Sequence, residues 1–108
     1  MADSSALIRE LTETDGVSGF EGDIRAIFTR RLKGAGDVLL DRMGGVVIRR
    51  KGGSGPRVML DCHLDEIGFI IQHVSKDGFL KFLNLGGWTG HVLGAQRVTV
   101  HGDKGALP

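Results

Sequence analysis

Tyrosine is absent from this chain, and tryptophan, cysteine and proline are scarce: one Trp, one Cys and two Pro in 108 residues. A lone cysteine, Cys62, excludes an internal disulfide and accords with a reducing compartment. No apolar run approaches the ~20 residues of a membrane span, and the N-terminus is acidic and polar rather than signal-like. The expectation is a cytoplasmic protein with no membrane partner. An excess of one charge is missing too. Fourteen basic residues face 13 acidic ones, a net charge of +1, which gives no support to a nucleic-acid partner. There is no internal repeat and no low-complexity linker. Glycine is abundant instead, with 18 residues dispersed at no fixed period. They read as tight turns between short strands. Hydrophobic and charged contents of 41% and 25% are ordinary for a globular chain, and the length allows at most one small domain.

Two helices are expected first. Ser4 or Ser5 can cap a helix with the apolar stripe Leu7, Ile8 and Leu11, ending near Asp15-Gly16. Ser18 and Glu21 have capping-box spacing for a second helix, which carries Ile24, Ile27, Phe28 and Leu32 on one face. Arg30, Arg31 and Lys33 suit its negative end, and Gly34 suits the position just past it. The period then changes to two. Strands are expected over 38–40 and 46–50, with turns at Gly44-Gly45 and at 51–56. Val58, Met59 and Leu60 begin a strand of the kind buried on both faces. It runs into Asp61, His63, Asp65 and Glu66, with Asp61, His63 and Asp65 on one face and Leu60, Cys62 and Leu64 on the other. Further strands are expected over 67–74, 79–83 and 96–101, with a turn at Lys76-Asp77-Gly78, and the last four residues carry no terminating element. The order suggests two structural units meeting just after Glu66.

The chemistry concentrates at the end of the 58–63 strand, where open α/β sheets place their sites. His63 and Asp65 have the grammar of a metal site: a neutral imidazole ligates zinc or cobalt while a carboxylate holds its other nitrogen. Alone, the triplet is short enough to arise by chance, and a strand-end histidine bonded to a neighbouring acid is the plainer reading. His73, His91 and His101 read as surface or strand-edge residues. Cys62 reads as a small core filler and Trp88 as a turn anchor. Arg30-Arg31 and Arg49-Arg50-Lys51 read as solvated, and the glycine turns lack phosphate-loop and dinucleotide spacing.

Five blocks nevertheless occur in one order: Asp15-Gly16-Val17-Ser18-Gly19-Phe20-Glu21, His63-Leu64-Asp65-Glu66-Ile67-Gly68-Phe69, Gly78-Phe79-Leu80, Gly86-Gly87-Trp88 and Gly94-Ala95-Gln96-Arg97-Val98. Together they closely resemble the N-terminal third of the tetrahedral aminopeptidases, the glutamyl and leucyl aminopeptidases also known as endoglucanases or cellulases. The resemblance implies an α/β fold: the start of a co-catalytic metallopeptidase domain over 1–66, then part of a small β-rich dimerisation domain over 67–108. It implies two zinc or cobalt ions, a peptide substrate trimmed from its N-terminus, and dimers that build dodecamers. His63 takes the place of a metal ligand, and Asp65 that of the catalytic-site aspartate that orients it.

Two departures stand out. Cys62 occupies a position usually held by a small residue such as alanine. The family's bridging aspartate, catalytic glutamate and remaining ligands lie beyond position 108, while a catalytic zinc takes about three protein ligands. The expectation is therefore an N-terminal fragment of such an enzyme, inactive alone and with weak or no metal binding. The alternative is a small non-enzymatic assembly module whose β-rich half makes self-association contacts.

Overall fold

The computed structural model describes residues 4–107. Helix α1 spans Ser4–Thr12. Ser4 and Ser5 form its first turn rather than standing before it as caps. Of the expected stripe only Leu7 is half-covered, while Ile8 and Leu11 are exposed. What anchors α1 is polar: Glu10 accepts hydrogen bonds from both Arg30 and Arg31. Those bonds, the Arg31 one foremost, hold the Glu10 carboxyl below its ordinary range against a smaller desolvation effect.

Helix α2 spans Gly22–Arg31 and follows the predicted stripe, with Ile24 and Ile27 buried and Phe28 and Leu32 half-buried. Gly34 takes φ 87°, the left-handed conformation foreseen at the helix end. Ile24 and Ile27 are the buried apolar side chains among the described residues, so the core is one small patch under α2.

Strands follow as separate antiparallel pairs. β1 (Asp37–Leu40) pairs with β2 (Val46–Arg49). In their turn, the Asp41 carboxylate accepts from the amides of Met43 and Gly45 at 2.8 and 2.7 Å. Arg25 donates to the Gly44 carbonyl at 2.9 Å and ties this hairpin to α2. β3 (Gly68–Val74) pairs with β4 (Leu80–Leu85), with a register shift between Ile71 and His73. The expected turn between them forms: the Ser75 amide donates to the Phe79 carbonyl, and the Ser75 hydroxyl oxygen accepts from the Phe79 amide. β5 (Val100–Gly102) pairs with β6 (Gly105–Leu107).

Two of the expected strands fail here, for one reason. Residues 57–65 form no strand, and Val58, Met59 and Leu60 are 79%, 85% and 95% exposed. Cys62 is exposed with them rather than filling a core. A strand exists by virtue of a neighbour's ladder, and no described segment forms one with residues 57–65. The 96–101 strand is likewise reduced to Val100–Gly102, where β6 supplies the partner. That partner is an unexpected terminating element, made possible by Gly105 at φ 111° closing the turn.

The first helices and the β3–β4 pair meet at two glycines. Gly16 and Gly68 are both buried. A Cβ on Gly68 would come within 2.6 Å of Val17 Cγ2, and Val17 has little rotamer freedom with which to yield. Gly68→Ala is therefore expected to destabilise the chain by about 1–3 kcal/mol, the usual cost of overpacking. Gly87→Ala, with nothing near its Cβ, serves as the reference. Equal urea midpoints for the two variants would refute the tight junction.

Candidate functional site

At this junction two of the sequence blocks come together. Val17 and Glu66 form a parallel β-bridge. The Glu66 amide donates to the Gly16 carbonyl at 2.8 Å, and the Gly16 amide donates to the Glu66 carboxylate at 3.1 Å. Glu66 is thus committed to latching the 16–18 loop against the 63–66 segment. The latch sets Ser18 beside Asp65, whose Oδ2 accepts the Ser18 hydroxyl.

The other carboxylate oxygen faces His63. Nδ1 of His63 lies 3.1 Å from Asp65 Oδ1 and 2.9 Å from the Asp65 carbonyl oxygen. Both partners are acceptors when the carboxyl is ionised, so Nδ1 carries a proton, and in the neutral ring the lone pair is then on Nε2. The His63 side chain is 85% exposed, which leaves Nε2 open to a ligand. The Ser18 hydroxyl is the main influence that lowers the Asp65 pKa below its ordinary range. Partial desolvation opposes it, and the His63 bond assists. Asp65 is therefore favoured as the anion, a second acceptor for Nδ1–H beside its own carbonyl.

Sequence spacing placed His63 and Asp65 on one face, and they do meet. Asp61, expected on the same face, is exposed and outside the arrangement. The capping box does not form: Ser18 is drawn to Asp65, and the Glu21 carboxylate accepts from the Gly19 amide at 2.6 Å. No local signal assigns Ser18 to Asp65. His73 and His91 are exposed, as expected. His101 is exposed on β5 but gains a partner in Asp15, Nε2 to Oδ2 at 3.3 Å. Trp88 does anchor its turn, donating to the Gly68 carbonyl at 2.9 Å and stacking on Phe69 at 4.6 Å.

The donor set fits one corner of a metal site. His63 has the right tautomer and a carboxylate behind it, as ligating histidines usually do. Among the described residues, no three His, Cys, Asp or Glu side chains come together to hold an ion.

Solved structures with this arrangement of elements include aminopeptidases. The TET aminopeptidase from the marine sediment archaeon Thaumarchaeota archaeon SCGC AB-539-E09 superposes with a TM-score of 0.90 at 40% identity, covering 96% of this chain and 29% of that one. PhTET1-12s, solved as a dodecamer, gives 0.88 at 30% identity over 97% of this chain and 32% of its own. Residues 44–108 match the M42 glutamyl aminopeptidase family, and the chain belongs to it. The lysyl aminopeptidase of Pyrococcus furiosus is 38% identical over 101 residues, covering 92% of this chain and 29% of that protein. The glutamyl aminopeptidase of Lactococcus lactis subsp. cremoris is 34% identical over 96 residues, covering 86% and 27%. The chain thus spans less than a third of each of these relatives. Its α/β class, two helices followed by strand pairs, is that of the corresponding part of the TET aminopeptidases.

Proposed function

We propose that this chain carries the histidine corner of a divalent-metal-dependent aminopeptidase, which removes residues from peptide N-termini. The supporting observation is the ordered set Ser18, Asp65 and His63, with Nε2 of His63 left open. In this reading His63 is a ligand and Asp65 holds its ring and tautomer. When bound, zinc or cobalt supplies Lewis acidity for the scissile carbonyl and a nucleophilic water near neutral pH. The other donors and the base come from outside the described residues, since one imidazole cannot complete a tetrahedral site. Residues 1–66 belong to the catalytic unit and 67–108 to a dimerisation unit, and the active form is a cytoplasmic homo-oligomer. The dodecameric state of PhTET1-12s supports the homo-oligomer. Among the described residues, no helix is long and apolar enough to cross a membrane.

The test is cobalt or zinc binding, together with hydrolysis of a leucyl or glutamyl anilide, by the purified chain and by His63→Ala. The expected result is weak metal binding that His63→Ala removes, without appreciable turnover. Binding equal in both proteins would sink the assignment of His63. Turnover abolished by the substitution would overturn the need for outside donors, because copies of these residues would then assemble a complete site.

A further inference from the structure

We infer that Ser18 is a positioning residue for His63, its hydroxyl fixing the Asp65 carboxylate so that one oxygen stays committed to Nδ1–H. The inference rests on the proposed role of His63 as a ligand. An aspartate turns easily about its last torsion, which has broad wells. A carboxylate held by a single hydrogen bond on one oxygen is therefore a loose support. Here Oδ2 is taken by Ser18 and Oδ1 by His63, so the carboxylate plane is set from both sides.

Ser18 is itself firmly placed. It is half-buried and directly follows the Val17–Glu66 bridge and the paired bonds between Gly16 and Glu66. Gly19, at φ 89°, then turns the chain into α2 by a conformation that L side chains rarely adopt. That turn leaves the Ser18 hydroxyl free of capping duty. The Asp65 carbonyl also accepts from Nδ1–H, so it maintains the tautomer without Ser18. Ser18 therefore acts on the direction and stiffness of the ring, and through them on how well Nε2 meets a cation.

The experiment compares the chain with Ser18→Ala and Ser18→Thr, using circular dichroism to verify helix content. In the metal-free proteins, the His63 Nδ1 shift and ring relaxation are read by 15N and 13C NMR, followed by cobalt titration. Ser18→Ala is expected to keep the Nδ1–H tautomer, move the Nδ1 shift, loosen the ring and weaken cobalt binding about tenfold, the lower end of what loss of an orienting partner costs. Ser18→Thr, which retains the hydroxyl, is expected to behave as the unaltered chain. An unmoved Nδ1 shift and ring relaxation in Ser18→Ala would overturn the inference. So would a Thr variant as impaired as the Ala variant, since packing and not the hydroxyl would then matter. The metal-free readings decide Ser18 even if cobalt proves not to bind through His63, so the two failures are distinguishable.

Discussion

Sedimentation of the purified chain is expected to show self-association that grows with concentration, not a compact monomer. The accessible surface is 9782 Å², whereas a folded monomer of 11.6 kDa exposes about 5,800 Å². The radius of gyration is 17.9 Å, against about 13 Å for a compact chain of this length. The excess is partly apolar, with Val58, Met59 and Leu60 nearly bare and Phe79 and Val74 well exposed on and beside the β3–β4 pair. Among the described residues each sheet has two strands, so every strand presents an open edge to a second copy. Adding charges at Val58 and Leu60 is expected to reduce the association. A compact monomer at every concentration would refute the prediction and weaken the proposed homo-oligomer.

Asp65→Asn is expected to lower the chain's cobalt affinity by about 10–100-fold, the usual cost of losing the carboxylate behind a ligating histidine. The amide can present its NH2 group toward Nδ1, where a hydrogen-bond acceptor is needed, and it removes the negative charge that favours a metal-bound ring. A cobalt absorption titration would measure the loss, and unchanged affinity would exclude Asp65 as the orienting group. The same variant carries a pH signature. The folded Asp65 carboxyl lies below its unfolded value, chiefly through the Ser18 hydroxyl. Its stabilising contribution is therefore complete above about pH 4 and is lost as pH falls through the folded value. The unaltered chain should lose stability on acidification below that point more steeply than Asp65→Asn. Glu10, lowered by Arg31 and Arg30, contributes with the same sign in both proteins. Parallel curves would argue against the Ser18–Asp65 bond.

Local chemistry alone determined much of this protein. The stripe of Ile24 and Ile27 specified α2 and its buried face, because helical periodicity is written in neighbouring residues. Gly44-Gly45 and Lys76-Asp77-Gly78 marked two hairpin turns, because turn geometry depends on a few consecutive backbone angles. His63 and Asp65, two residues apart, do meet, although the strand expected to set them on one face does not form. Only the tertiary structure decided that Ser18 serves Asp65 rather than α2, that Glu66 latches Gly16, and that His101 pairs with Asp15. Those partners are far apart in the chain, and no local pattern records which distant segment will arrive. The same principle explains residues 57–65. Their apolar run states a readiness to be a strand, but pairing belongs to two segments at once, and no described segment forms a ladder with this one.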